Sequence, residues 1–381
     1  MRVTVVGSGF GALAAVRTLR HLDLDRRLDI TLVSPRAELV YLPSLIWVPT
    51  GLRQAEALRL PLGDYLRRLG VRHVSGSVAG VEGQGRVVRT RDGQRLDNDA
   101  LILACGAAYL SGPPGQGHTL NPCAGPAVAD QVRSRYEALL NSGKPGTLAF
   151  GFSGNPQEPT AVRGGPMFEF LFGIERHLRR RGDRQRLNLV FYSPMERPGQ
   201  RLGPQAVERL LATMARRGIA THLGAKILRF DAAGLVTERG RVDADLTLFL
   251  PGLCGQKWFA ETGFTLSPGG FFQADAHGHV TGAQRVWVAG DAGSFPGPEW
   301  RPKQGHMAEL QAVAAAGNLW RELTGRGGSQ GFRTELICIV DGLDRGMLVA
   351  RYGQRQWLLP DMRALHWAKR AFEWWYTAPY R

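Results

Sequence analysis

The chain has 381 residues, 44% of them hydrophobic, and a formal charge of +15 from 48 Lys+Arg against 33 Asp+Glu. That length accommodates two domains with buried cores plus an appendage, and the composition excludes a disordered chain. Four cysteines, Cys105, Cys123, Cys254 and Cys338, form no CxxC pair, which argues against a disulfide scaffold or a zinc site, and no metal is expected.

The charge admits nucleic acid or an anionic membrane surface as partner. Its arginines are dispersed, as in "RHLRRRGDRQR", and no nucleic-acid module accompanies them, so nucleic acid is not expected. "MRVTVVGSG" starts a strand at the second residue and leaves no room for a secretory signal. No apolar run reaches the length of a spanning helix.

"RVTVVGSGFGALAAVRTLRHL" reads as a buried strand, a Gly-rich turn and a helix, followed by a second strand, "LDITLVS". This βαβ opening aims a helix N-terminus at a phosphate. Gly7 permits the turn, Gly9 lets backbone approach a pyrophosphate, and Ala12 is the small residue where helix meets strand. A tight turn without ligand would look the same. The acid that usually holds a ribose after the second strand is replaced by Ser34 and Pro35, leaving Ser34 to donate one hydrogen bond.

"DALILACGA" is a further apolar strand ending in a small-residue turn, with Ala104, Cys105 and Gly106. "GTLAFGFSGNPQEPTAVRGGPMFEFLFGIERHL" opens a second α/β unit. The turn after its strand is long, carries Pro156, Pro159 and Arg163, and has no GxGxxG, which argues against NADH as donor. "RLNLVFYS" and "ADLTLFLPG" continue that unit around the helix "PQAVERLLATMARRG". "RVWVAGDAGSF" then ends a strand at Gly290-Asp291. The three motifs in this order resemble the two-dinucleotide-domain flavoproteins, in which the late Gly-Asp holds the flavin ribityl chain. Non-covalent FAD is therefore the expected cofactor.

"YLPSLIWVPTG", "GGPMFEF", "PKQGHMAELQA" and "ICIVDGLDRG" then join the frame. Together they resemble the sulfide:quinone oxidoreductase and flavocytochrome c sulfide dehydrogenase flavoproteins over nearly the whole chain. The implied fold class is α/β, with two Rossmann-like dinucleotide-binding domains, glutathione-reductase-like, and a C-terminal amphipathic helical tail. Its expected divisions are 1–109 and 256–325 for FAD, 110–255 for a degenerate nucleotide domain, and 326–381 for a cap and membrane segment. The implied cofactor-binding residues are Gly7, Gly9, Gly11, Ala12, Ser34, Pro43, Val78, Ala104, Gly106, Gly290, Asp291, Lys303, Gln304 and Gly305.

In that family two cysteines serve the sulfur side of the flavin. Cys338 matches one; Arg163 stands where the other belongs, and Ala127 and Arg201 stand near two expected histidines. Cys123 matches a third cysteine of some members. Cys338 is left with three readings: packed as a small hydrophobe, paired with Cys123, or acting alone with Arg163 drawing in an anionic substrate and lowering the thiol pKa. Glu169 matches an acidic residue near the sulfur side in relatives, and its apolar surroundings would raise its pKa by desolvation and suit it to relay protons; the alternative is a favourable charge near a helix start. Lys303 would stabilise reduced flavin, and Pro43 and Trp47 would line the ring and the substrate. No cysteine near Leu42 offers covalent attachment, which favours the quinone-reducing branch.

The tail "WLLPDMRALHWAKRAFEWWYTAPYR" places Leu358, Met362, Leu365, Phe372 and Trp375 at helical intervals, with Arg363, Lys369 and Arg370 as the charged side. Such a helix lies in a membrane interface or docks on protein. The expectation is a cytoplasmic protein, peripheral on the cytoplasmic membrane, that passes electrons from sulfide or a polysulfide to a quinone. A homo-oligomer is left open. A type II NADH:quinone oxidoreductase, or a catalytically altered flavoprotein acting as a binding partner, are the alternatives.

Overall fold

A computed structural model describes residues 1–381. Its first sheet is parallel and five-stranded, in the order Val286–Val288, Ala100–Leu103, Arg2–Val6, Asp29–Ser34, Arg72–Ser75. Four of the strands are buried over nearly their whole length because helices cover them, whereas the edge strand Arg72–Ser75 is largely polar and partly exposed. Two of these helices, Phe10–Leu22 and Gly305–Thr324, pack on each other with Gly11 against Ala308. Strand order reverses on either side of Arg2–Val6. The crevice at the carboxyl ends of the strands, beside Gly7, is thus the switch point where such sheets bind ligands.

The chain leaves this sheet and returns through a short antiparallel link that pairs Ala108 with Cys254 and Tyr109 with Leu253. Between the two crossings lies a second parallel sheet, Ala220–Leu223, Leu187–Ser193, Gly146–Phe152 and Leu246–Leu250 in spatial order. A long loop, 153–164, joins Gly146–Phe152 to the helix Gly165–Arg181.

The C-terminal region is an antiparallel meander, Glu335–Asp341, Gly346–Tyr352 and Arg355–Met362, followed by the helix Arg363–Thr377. Register pairs Cys338 with Val349, which in turn pairs with Leu358, and Ile337 with Ala350, which in turn pairs with Trp357. The two-residue period of a strand puts Cys338 on the inner face and Ile337 outside. Leu336, Val340, Met347 and Val349 share one apolar cluster with Trp47 and with Phe150, Phe168 and Phe191 of the second unit. That common core holds the cysteine strand against the rest of the molecule.

The tail departs from the sequence expectation. Trp357–Met362 is strand, not helix, because it completes the meander's hydrogen-bond ladder. The helix starts at Arg363, and its apolar residues do not form one inward stripe. Leu365 is buried, whereas Trp367, Phe372, Trp374 and Trp375 are 61%, 52%, 66% and 64% exposed. No helix is long and apolar enough to cross a membrane.

Candidate active site

One cavity of about 2010 Å³ runs from the glycine turn past Asp291 to the cysteine strand and the C-terminal helix. Single-ligand pockets hold about 300–1,000 Å³, so this space admits a dinucleotide together with a second ligand.

Its first end is the cradle. Gly7 sits at φ +116, its N–H donates to Val33 O at 2.8 Å, and any Cβ there would run into the Ala104 carbonyl. A Cβ on Gly9 would meet nothing within 4 Å, so its space faces the cavity. Neither Phe10–Leu22 nor Gly305–Thr324 has a side-chain N-cap or an acid in its first turn. The first-turn N–H groups of Phe10–Leu22 therefore remain available to a pyrophosphate. Gln304, before the second of these helices, has a buried Oε1 with no hydrogen-bond partner. These features fit FAD, with Gly7 and Gly9 holding the pyrophosphate and Gln304 and Gly305 offering groups to the ring. Ala12 is buried in helix packing. Gly11, Pro43, Val78, Ala104, Gly106, Gly290, Asp291 and Lys303 all line the cavity.

Ser34 lines it too, but its hydroxyl donates to Arg36 O at 2.7 Å and lies 3.0 Å from His73 Nε2. Its proton is therefore already engaged, and the ribose bond expected from it is corrected. Asp291 takes the Arg163 guanidinium on its carboxylate and the Lys303 ammonium on its carbonyl, the latter at 2.9 Å. Lys303 also donates to Gly293 O at 3.0 Å and stands 3.9 Å over the Phe271 ring. Burial lowers its pKa to about 8 against the pull of Asp291.

The sulfur end holds Cys123, Cys338 and Glu169, all on the cavity wall; the four cysteines are free. Burial pushes both thiols up to about 12. The charged neighbours of Cys338 are Glu169, which raises it further, and Lys369, which opposes. Arg163 instead lies against Cys123 and Tyr109. The expectation that Arg163 lowers the Cys338 pKa is thus corrected: the nearby cation is Lys369, carried in by the C-terminal helix.

Glu169 is buried in Gly165–Arg181 at its fifth position, beyond the first turn. Its carboxylate takes Lys369 Nζ and the Asp341 N–H, the latter at 2.9 Å. Burial raises its pKa to about 6, with Lys369 pulling the other way. Desolvation, not the helix terminus, governs this group.

Trp47 is corrected as a lining residue: it is fully buried, and its Nε1 donates to Asp341 Oδ1 at 3.0 Å. His366 Nδ1 meets Asp341 Oδ2 at 2.7 Å. Together they hold Asp341 below the usual carboxylate range despite its burial. Arg53 forks onto Glu373 at 2.8–3.1 Å. His366, Lys369 and Glu373 therefore form a polar stripe on the inward face of the C-terminal helix. Lys369, read from sequence as part of the solvated side, is tied to Glu169 and to Ile339 O. Lys369 lines the candidate site and had not been expected there from the sequence. The i, i+3, i+7 spacing of 366, 369 and 373 was its one signal, and it does not say which way the face points.

In the second unit, Asn155 Nδ2 donates to Leu253 O at 2.9 Å, and Gly154 packs on Gly252, Val162 and Met195. The long loop thereby folds back over the strand ends, where a second nucleotide would need an open Gly-rich turn.

No family model matches the sequence. Sulfide-quinone reductase of Aquifex aeolicus is 25% identical over 395 residues, covering 97% of this chain and 89% of that protein. An NADH dehydrogenase-like protein of Mycobacterium tuberculosis is 24% identical over 76% of this chain and 72% of its own length. Among solved structures, the sulfide:quinone oxidoreductase of Aquifex aeolicus superposes with a TM-score of 0.89 at 22% identity, over 100% of this chain and 91% of that one.

Proposed function

Starting from a sulfide:quinone oxidoreductase-like, FAD-dependent oxidoreductase, we propose that this chain oxidises sulfide or a related reduced-sulfur anion and delivers the electron pair to a lipid-borne quinone. One observation carries this reading: a single cavity joins the dinucleotide cradle to Cys338 and to Lys369 and Phe372 of the aromatic helix. The chemistry FAD supplies when bound is two-electron exchange between sulfur donor and quinone. Cys338 is the sulfur relay, on a strand whose packing fixes its direction. Ionised above about pH 6, Glu169 is the base for the buried thiol. Lys369 keeps that base charged and anchors the helix. Lys303 balances negative charge that develops on the ring. At the outer end, Ile337 and Phe372 give a quinone an apolar entrance.

The folded-back loop of the second unit supports a sulfur donor over NADH. Anaerobic sulfide should bleach the flavin absorbance of the purified protein, and a short-chain quinone should restore it. Absence of bleaching by sulfide and by polysulfide defeats the reading. With donor saturating, the bleaching rate should climb about tenfold per pH unit below about 6 and level off above it, as Glu169 ionises. Because Lys369 depresses this pKa, Lys369→Met should move the limb to higher pH; an unmoved limb removes Glu169 from the role.

The membrane reading also rests on the C-terminal helix. Its His366, Lys369 and Glu373 are turned inward on buried partners, Arg363 and Arg370 stay on the outer side with Trp367, Phe372, Trp374 and Trp375, and Ile337 and Trp357 of the meander are exposed too. Water disfavours that arrangement, whereas a lipid interface favours it, and +15 charges suit an anionic leaflet. Replacing Trp374 and Trp375 with serine removes two such anchors at roughly 1.5 kcal/mol each. Co-sedimentation with anionic vesicles should weaken at least about tenfold, while sulfide still bleaches the flavin. Undiminished vesicle binding would refute the assignment of this face.

A further inference from the structure

We propose that the chamber beside Cys123 is a receptor for a small oxyanion, held between Arg163 and Arg201. It extends the sulfur-oxidising reading by naming a second ligand class, and it rests on that reading for its place in the chemistry. Arg163 and Arg201 stand where the sequence resemblance expects a cysteine and a histidine, and both line the same cavity. Lys303 adds a third cation within reach of both arginines.

The charges do not balance. Asp291 takes Arg163 directly and is the one carboxylate acting on Arg201. Glu158, the other acid near Lys303, is engaged with the Thr160 and Ser294 hydroxyls at 3.0 and 2.9 Å. Glu299 is out in solvent at the rim. Arg201 donates only to neutral carbonyls, those of Thr160, Val162 and Arg301, and its buried Nε has no partner. Arg351 stands over the Trp300 ring at 4.5 Å on the same wall.

Uncountered guanidinium in a desolvated place is costly. A planar fork of N–H donors matches oxyanions far better than a neutral sulfur species. The ligand is therefore a compact anion with oxygen acceptors. Two sources share that chemistry: an inorganic sulfur oxyanion, and the carboxylates of a low-molecular-weight thiol.

Isothermal titration of the oxidised, FAD-loaded protein tests this without turnover, using sodium thiosulfate, sodium sulfate and glutathione as separate probes. The expected result is one saturable site with a dissociation constant of about 1 mM or lower at low ionic strength. Affinity should fall about tenfold or more in Arg201→Met and in Arg163→Cys. Inorganic probes binding tighter than glutathione identify the first source; the opposite order identifies the second. Because Arg201 also pins the loop through three carbonyls, a flavin-free Arg201→Met leaves Arg163→Cys to decide. The proposal is overturned if wild-type protein binds none of the three probes, or if folded Arg163→Cys binds them as tightly as wild type. Sulfide bleaching measured on the same preparation separates this failure from a failure of the oxidoreductase reading.

Discussion

With Gly7 replaced by valine, the protein should purify colourless. The backbone at this position has φ +116, a conformation that costs a β-branched residue about 1–3 kcal/mol. Any Cβ there also runs into the Ala104 carbonyl, which directly follows the adjacent strand Ala100–Leu103 and cannot yield without straining the Ala104 N–H bond to Val6 O. The turn must open, the helix behind it must shift, and flavin affinity should drop roughly 100-fold or more. Gly9→Ala is the companion. A Cβ at Gly9 touches no protein atom within 4 Å, so folding and Tm should stay near wild type while the methyl intrudes on the pyrophosphate space. Visible flavin absorbance per mole of protein reads both. A stoichiometrically yellow Gly7→Val protein would remove the dinucleotide from this crevice.

Cys338→Ser should retain its flavin and lose sulfide-dependent bleaching by roughly a thousand-fold or more, the scale seen when a nucleophile is removed. Serine is only slightly smaller than cysteine, so the packing of Glu335–Asp341 is largely preserved and the flavin cradle, at the other end of the cavity, is untouched. The same measurement on Cys123→Ser separates the three readings of Cys338. Equal losses in the two variants mean a working pair. Loss in Cys338→Ser alone means that Cys338 acts by itself beside Glu169 and Lys369. Bleaching at the wild-type rate in both reduces Cys338 to a packing residue and ends its assignment as relay. The buried thiol, held near 12, needs a proton acceptor at hand. The pH limb expected from Glu169 and the loss in Cys338→Ser are therefore linked outcomes of one arrangement.

Much of the first half of the cavity was legible in the sequence. A Gly-rich turn between an apolar strand and a helix is a local matter: Gly7 and Gly9 are set by backbone sterics within a few residues, and the structure finds them at the switch point. Glu169 was legible for the same reason, since a carboxylate amid "PMFEFLF" has to be desolvated once that helix is buried. Ser34 and Trp47 were not. Ser34 found its partner in Arg36 and His73, and Trp47 in Asp341, 294 positions away.

The order of the nucleotide motifs, the buried strands and the glycine turn were determined by the sequence alone, because each depends on neighbours along the chain. Only the tertiary structure decided which face of the last helix turns inward. Lys369 meets Glu169 across 200 positions, His366 meets Asp341, and Glu373 meets Arg53. Three buried polar pairings outweighed the burial of four aromatic rings, since a buried charge must be paired whereas an exposed indole costs far less.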